Sequence, residues 1–226
     1  MVFSIAGTAA ALTVKFVNGT TQTTTALTGF STTGAMMDGM TVTATFNDAT
    51  QQTLYWADTV VDAGGVNGIT NWSLNMSGDT FSGYWNLLVD ASLTLTNLFI
   101  DAGTGDTVFD VIYGSGDLND YHSPGSALGR PFTTAYIGDL TATYRDRVAV
   151  GGYLYGDLYR TLTLDFGSNG FSGNMDLNFT ADTDNLKIAG DIKPANPVPE
   201  PATLLLLGTG LIGLAGSQRK KFFRKS

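Results

Sequence analysis

Aspartate is the residue of this chain best able to do chemistry. Nineteen Asp stand against one Glu (Glu200), one His (His122) and no Cys. Disulfides, thiolate zinc sites and cysteine nucleophiles are therefore excluded, and so is a multi-histidine metal centre. Paired Asp carboxylates can act as acid and base on a glycosidic bond when they flank it at about 5–10 Å. Loop carboxylates can also gather around a calcium ion, which prefers several oxygen ligands. The densest candidates are Asp117-Leu118-Asn119-Asp120 and Asp182-Thr183-Asp184-Asn185. Neither follows the EF-hand or nonapeptide pattern. Most Asp lie in Gly-rich stretches, where the side chain closes turns on its own backbone. Turn work is the expectation, with an Asp-based secreted hydrolase and one structural calcium site as the alternatives. His122 lies in Asp120-Tyr121-His122-Ser123-Pro124, and the chain has no Gly-x-Ser-x-Gly elbow to partner it. It reads as an ordinary loop histidine. No catalytic residue and no cofactor is assigned.

A second chemical candidate is aromatic. Tyr55, Trp56, Trp72, Tyr84 and Trp85 fall in the first half of the chain. Aromatic faces on a sheet can stack on sugar rings, and Trp72 and Trp85 are the candidates for that role. Packing of the core is the competing use, because large aromatics dominate such cores. In adjacent pairs such as Tyr55-Trp56 the two side chains point to opposite faces of a strand, so one is expected outside. A carbohydrate-binding module is thus an alternative reading, and it requires Trp72 and Trp85 exposed together on one face.

The elements that would position these groups are strands. In Met40–Phe46 the apolar residues occupy even positions and Thr the odd ones, and Ser92–Thr96 and Leu158–Phe166 alternate similarly. Period-two alternation predicts half-buried strands, and Thr, Val, Tyr and Phe favour them. Gly-rich breaks such as Asp62-Ala63-Gly64-Gly65, Ala102-Gly103-Thr104-Gly105-Asp106 and Gly167-Ser168-Asn169-Gly170 read as turns. No segment before residue 193 sustains a helical period. Residues 13–192 are therefore expected to form an all-β, antiparallel β-sandwich of about ten to twelve short strands, jelly-roll-like in its connections. The Thr run over residues 20–25 is expected as a solvated segment or an edge strand.

Charge is unevenly placed. The chain nets −8, but residues 1–197 carry seven Lys/Arg against nineteen Asp, a net of −12. So acidic a body repels nucleic acid, which is excluded as a partner. Composition then changes abruptly. Residues 193–201 hold four of the six prolines and read as a stiff linker. Residues 202–217 carry no charge and include Ala202, Leu204, Leu205, Leu206, Leu207, Leu211, Ile212, Leu214 and Ala215. Together with Pro201 they would span roughly 26 Å as a helix, enough for one short transmembrane helix. Residues 218–226 carry Arg219, Lys220, Lys221, Arg224 and Lys225. Basic residues beside an apolar span stay cytoplasmic, which would place the body on the far side of the membrane.

The sequence Val198-Pro199-Glu200-Pro201, the Leu/Gly-rich span and Arg219-Lys220-Lys221 together resemble the PEP-CTERM sorting signal. The resemblance is confined to the last 29 or so residues. It implies an exported protein of a Gram-negative, exopolysaccharide-producing bacterium, held briefly in the inner membrane and then delivered to the cell surface or extracellular matrix. It implies an exosortase-type processing enzyme as partner, with the membrane and exopolysaccharide as further contacts, and Val198, Pro199, Glu200 and Pro201 as the recognised box. Export calls for an N-terminal signal. Residues 1–12 are mildly apolar but lack a leading Lys or Arg. They are expected as a signal-peptide remnant or the product of a mis-called start, with a native first strand as the third option.

Overall fold

A computed structural model describes residues 12–28, 31–69, 71–111, 123–126, 128–136, 138–172 and 175–192. The chain divides into two units, Met1–Ile192 and Lys193–Ser226, and every described residue belongs to the first. The proline-rich linker, the apolar span, the basic tail, His122 and the Asp117-Leu118-Asn119-Asp120 cluster lie outside the described residues. Among the described residues no helix is long and apolar enough to cross a membrane.

The body is all-β, as the alternation predicts. Its strands in chain order are β1 (Leu12–Val17), β2 (Gln22–Thr24), β3 (Thr41–Phe46), β4 (Gln51–Tyr55), β5 (Ala57–Val60), β6 (Ala63–Asn67), β7 (Trp72–Ser77) and β8 (Trp85–Val89). They continue with β9 (Thr94–Asp101), β10 (Thr107–Asp110), β11 (Thr133–Thr134), β12 (Leu140–Val150), β13 (Leu158–Asp165), β14 (Phe171–Ser172), β15 (Met175–Thr180) and β16 (Asp182–Asn185). Two short 3₁₀ turns, Gly34–Met37 and Ala102–Gly105, are the only helical pieces among the described residues.

These strands form two open sheets. The larger runs β1-β12-β13-β9-β3-β4, with β2, β10, β14 and β16 attached beside that path, and the smaller runs β11-β15-β8-β7-β6-β5. One apolar core lies against both. Val42, Ala44, Leu98, Ile100 and Leu162 supply the larger sheet's side, and Leu74, Met76, Leu87, Leu177 and Phe179 the smaller sheet's. In β3 the even residues are buried and the intervening Thr half-buried, the pattern read in the sequence. The chain passes from one sheet to the other at Trp56, so β4 and β5 are the end strands of their respective sheets.

The Thr run forms β2, a strand paired with β12 alone as the edge-strand expectation has it, with Thr24 buried. Three expectations are corrected. The pairing is not wholly antiparallel, since β1 and β2 both run parallel to β12. Strand β13 is buried on both faces over Leu158–Leu162 rather than half-buried. At its N-terminal end β13 adds Leu158 to a second apolar cluster with Leu27, Val108, Val148, Leu186 and Ile192. Finally, Ala63-Gly64-Gly65 lies within strand β6, not in a turn. A Cβ on Gly64 would meet Trp56 Nε1 at 2.3 Å and the Gly34 carbonyl oxygen at 2.4 Å. These glycines serve close approach rather than chain reversal.

Candidate functional site

Two groups of aspartates stand out among the described residues. In the first, each carboxylate caps its own turn. Asp48 Oδ1 accepts from the Thr50 amide at 2.9 Å and the Thr50 hydroxyl at 2.6 Å, and Asp90 Oδ1 accepts likewise from Ser92. Asp79 and Asp165 accept the amides of Phe81 and Gly167, both at 2.9 Å. Such bonds favour the ionised form. The Thr50 hydroxyl foremost holds the Asp48 carboxyl below its ordinary range, and the Ser92 amide does the same for Asp90. This is the turn work expected of most Asp.

The second population is buried. Asp110, Asp157, Asp182 and Asp184 are each at most 4% exposed. In the antiparallel β10–β16 ribbon Asp110 is the register partner of Asp182, and Val108 that of Asp184. With side chains alternating, Asp110, Asp182 and Asp184 therefore share one face, the face that carries Val108 of the smaller apolar cluster. Short hydroxyl side chains serve them. Ser126 donates to Asp110, and Thr80 Oγ1 to Asp182 Oδ1 at 2.8 Å. The Thr183 amide adds a bond to the same Asp182 oxygen at 2.8 Å. Asp157 accepts from the Ser123 amide at 2.6 Å and hydroxyl at 2.8 Å, while its carbonyl accepts the Val111 amide. Asp184 Oδ2 is buried with no hydrogen-bond partner. Burial foremost, and then the Asp184 charge, push the Asp182 carboxyl up to about 8. Burial and then the Asp110 charge push Asp184 up to about 7, with the Ser126 hydroxyl acting against them.

This constellation is enclosed, with Ser123 and Ser126 themselves buried. A glycosidic bond has no access to it, so these paired carboxylates do not form the cleft an Asp-based hydrolase needs. The segment Asp182-Thr183-Asp184-Asn185, expected as a loop, is strand β16, and its Asp182 and Asp184 lie on the same face. Among the described residues no group of three His, Cys, Asp or Glu is placed to hold a metal ion. The cluster itself was missed in the sequence. The available signal was Asp110 at the end of the apolar run Val108-Phe109, away from any Gly-rich turn.

Trp72 and Trp85 are 2% and 0% exposed, so the sugar-stacking role expected of them is overturned. Both are core residues, each with its indole N–H satisfied inside. Trp72 Nε1 donates to Gln52 Oε1 at 2.6 Å, and Trp85 Nε1 to the Ala181 carbonyl at 2.8 Å. Trp85 also packs edge-on against Trp56 and stacks on Phe179. The alternation rule itself holds, since Tyr55 and Tyr84 are the exposed members of their pairs.

An acidic all-β body followed by a proline box, an apolar span and a basic end is the class of exported protein that carries a C-terminal sorting signal. The family model of the PEP-CTERM protein-sorting motif matches residues 197–220, so the chain carries that motif. The match contains Val198, Pro199, Glu200 and Pro201, the apolar span, and Arg219 and Lys220. The motif implies processing by an exosortase-type enzyme, and export with membrane-associated sorting. No curated protein and no solved structure matches the chain.

Proposed function

We propose that this is a non-enzymatic protein of the cell surface or extracellular matrix of a Gram-negative, exopolysaccharide-producing bacterium, with its β-body as the delivered product. The body is read as a two-sheet sandwich with jelly-roll-like wrapping. The tail acts first as an anchor. Residues 202–217 enter the inner membrane as a short helix, and Arg219, Lys220, Lys221, Arg224 and Lys225 hold its end in the cytoplasm, leaving the body outside. The proline-stiffened box then presents Glu200 to the exosortase-type enzyme, and processing releases the body. The observation that carries this reading is the sorting-motif match at residues 197–220, in the segment that follows the folded unit ending at Ile192. Enclosure of the buried Asp cluster supports a body without catalysis, and neither a metal nor an organic cofactor enters the reading.

The test is the intact mass of the protein recovered from outside its native cells, for the wild type and for Glu200→Ala. The wild type is expected to lack the segment beyond about residue 201, and the variant to accumulate in the membrane at full length. A wild-type mass that retains the basic tail reduces the motif to a plain anchor. Normal processing of the variant removes Glu200 from the mechanism.

A further inference from the structure

Three Asn-Gly pairs occur in the chain, Asn18-Gly19, Asn67-Gly68 and Asn169-Gly170. In such a pair the glycine amide nitrogen can close on the asparagine side-chain carbonyl, because glycine has no Cβ to hinder the ring and turns its backbone freely. The ring closes where that amide is unbonded and the backbone around it can turn. The fold separates the three pairs on this ground. Gly68 is held, its amide donating to the Trp72 carbonyl at 2.7 Å in the β6–β7 hairpin. Gly19 is clamped from both sides. The Asn18 carbonyl accepts the Arg147 amide at 3.1 Å, and the Thr20 amide donates to Asp146 Oδ1 at 2.7 Å. The same carboxylate oxygen lies 2.1 Å from where a Gly19 Cβ would stand. Its negative charge opposes loss of the Gly19 amide proton. Asn169 differs. It is exposed in the turn between β13 and β14, and neither its side chain nor the Gly170 amide has a hydrogen-bond partner among the described residues. The turn is fixed only at its ends, by the Gly167 amide on Asp165 Oδ1 at 2.9 Å and by Phe171 in register with Leu95 of β9. The carboxylates of Asp139 and Asp165 face Gly167, not Gly170.

We propose that Asn169 is a site of self-modification, at which the folded body converts its own side chain to aspartate or isoaspartate and in the second case loosens β14 from β9. The steps balance with water and hydroxide alone. Hydroxide takes the Gly170 amide proton, and the nitrogen attacks Asn169 Cγ. The new C–N bond closes a succinimide as the Cγ–Nδ2 bond breaks, and ammonia leaves with a proton from water. Water then opens either carbonyl of the ring. One opening gives an ordinary aspartate at this position. The other gives isoaspartate, which routes the main chain through the side chain and inserts a methylene ahead of Gly170. That glycine has little room to move. A Cβ on it would already meet Thr94 Cγ2 at 2.5 Å and the Leu95 carbonyl oxygen at 3.0 Å. The next residue, Phe171, is fully buried, stacked on Phe166 with ring centroids 5.2 Å apart and edge-on to Tyr136 at 5.6 Å. Strand β14 is only two residues long, so a shift at its start disturbs the whole of its pairing with Leu95 and Thr94.

The test is peptide mapping by mass spectrometry of the full chain in detergent micelles, aged in mildly alkaline buffer with and without denaturing urea. In the native protein Asn169 is expected to convert first. The Gly68 hydrogen bond by itself is expected to slow Asn67 by about 2–10-fold. In urea, where no fold protects them, the three pairs are expected to convert at similar rates. Native conversion at Asn18 or Asn67 that keeps pace with Asn169 overturns the proposal, and so does a lead of Asn169 that survives unchanged in urea. Asn169→Gln, whose longer side chain would have to close a larger ring, is expected to stop the reaction at this position. The wild-type maps decide the site whether or not that variant folds. The consequence is read by urea unfolding of fresh and aged wild type, followed by tryptophan fluorescence. A lower midpoint that grows with the isoaspartate content supports the loosening of β14, and a midpoint unchanged after isoaspartate has formed overturns it.

Discussion

The Asp101–Arg160 pair offers the sharpest test of how this body is held together. Arg160 Nε and Nη2 grip the two Asp101 oxygens at 2.7 and 2.6 Å, and both residues are at most 9% exposed. The pair joins the C-terminal end of β9 to neighbouring β13, beside the 3₁₀ turn Ala102–Gly105, where Gly103 lies against the Arg160 side chain. Asp101→Asn keeps the shape but leaves a buried guanidinium without its counter-charge. Breaking one partner of such a pair costs about 3–5 kcal/mol. For a body of this size that corresponds to a fall of about 6–20 °C in Tm, at about 2–4 °C per kcal/mol. Asp101→Leu combined with Arg160→Met removes both charges together and is expected to recover most of the loss, because apolar replacements of buried pairs are often neutral or better. The assay is thermal and urea unfolding read by tryptophan fluorescence, which is suited to the body because Trp56, Trp72 and Trp85 are all buried in it. Molar salt should leave the difference between wild type and Asp101→Asn nearly unchanged, since buried pairs are weakly screened. A loss under about 1 kcal/mol in Asp101→Asn, or a double variant as unstable as the sum of its single changes, would refute the reasoning.

Two further outcomes are expected. Gly64→Ala places a Cβ against Trp56 Nε1 and the Gly34 carbonyl, which are joined by a 2.7 Å hydrogen bond, so a loss of about 1–3 kcal/mol from overpacking is expected in urea unfolding. Gly152→Ala, with open space but a φ of +85°, should lose less, and a reversed order would show that the Trp56 contact does not constrain β6. Leu206→Arg adds about 2.5–3.5 kcal/mol to the insertion of a span at its centre. Membrane fractionation of cells expressing that variant should find it in the soluble fraction, and normal membrane retention would argue against the anchor.

Some of this protein was legible in the sequence because the physics involved is local. The Met40–Phe46 alternation specifies a strand with one dry face, since successive side chains must leave opposite sides of an extended chain. Asp48 and Asp90 sit two residues before a hydroxyl residue and need nothing beyond that to cap their turns. The sorting motif is linear, so the order of proline box, apolar span and basic end was sufficient to find it.

Other features depend on partners distant in the chain. Trp72 and Trp85 have side chains equally suited to a sugar ring and to a core, and only the stacking of the second sheet buries them. Gly64 has the composition of a turn, yet it lies in a strand because Trp56 and Gly34 press against it. Asp182 and Asp184 resemble solvated turn residues in the sequence. Their burial follows from β16 pairing with β10, a strand more than 70 residues earlier, and from Ser126 lying against Asp110 and Asp184. Alternation determines which side chains share a face, but whether that face meets water or another layer is decided by long-range packing alone.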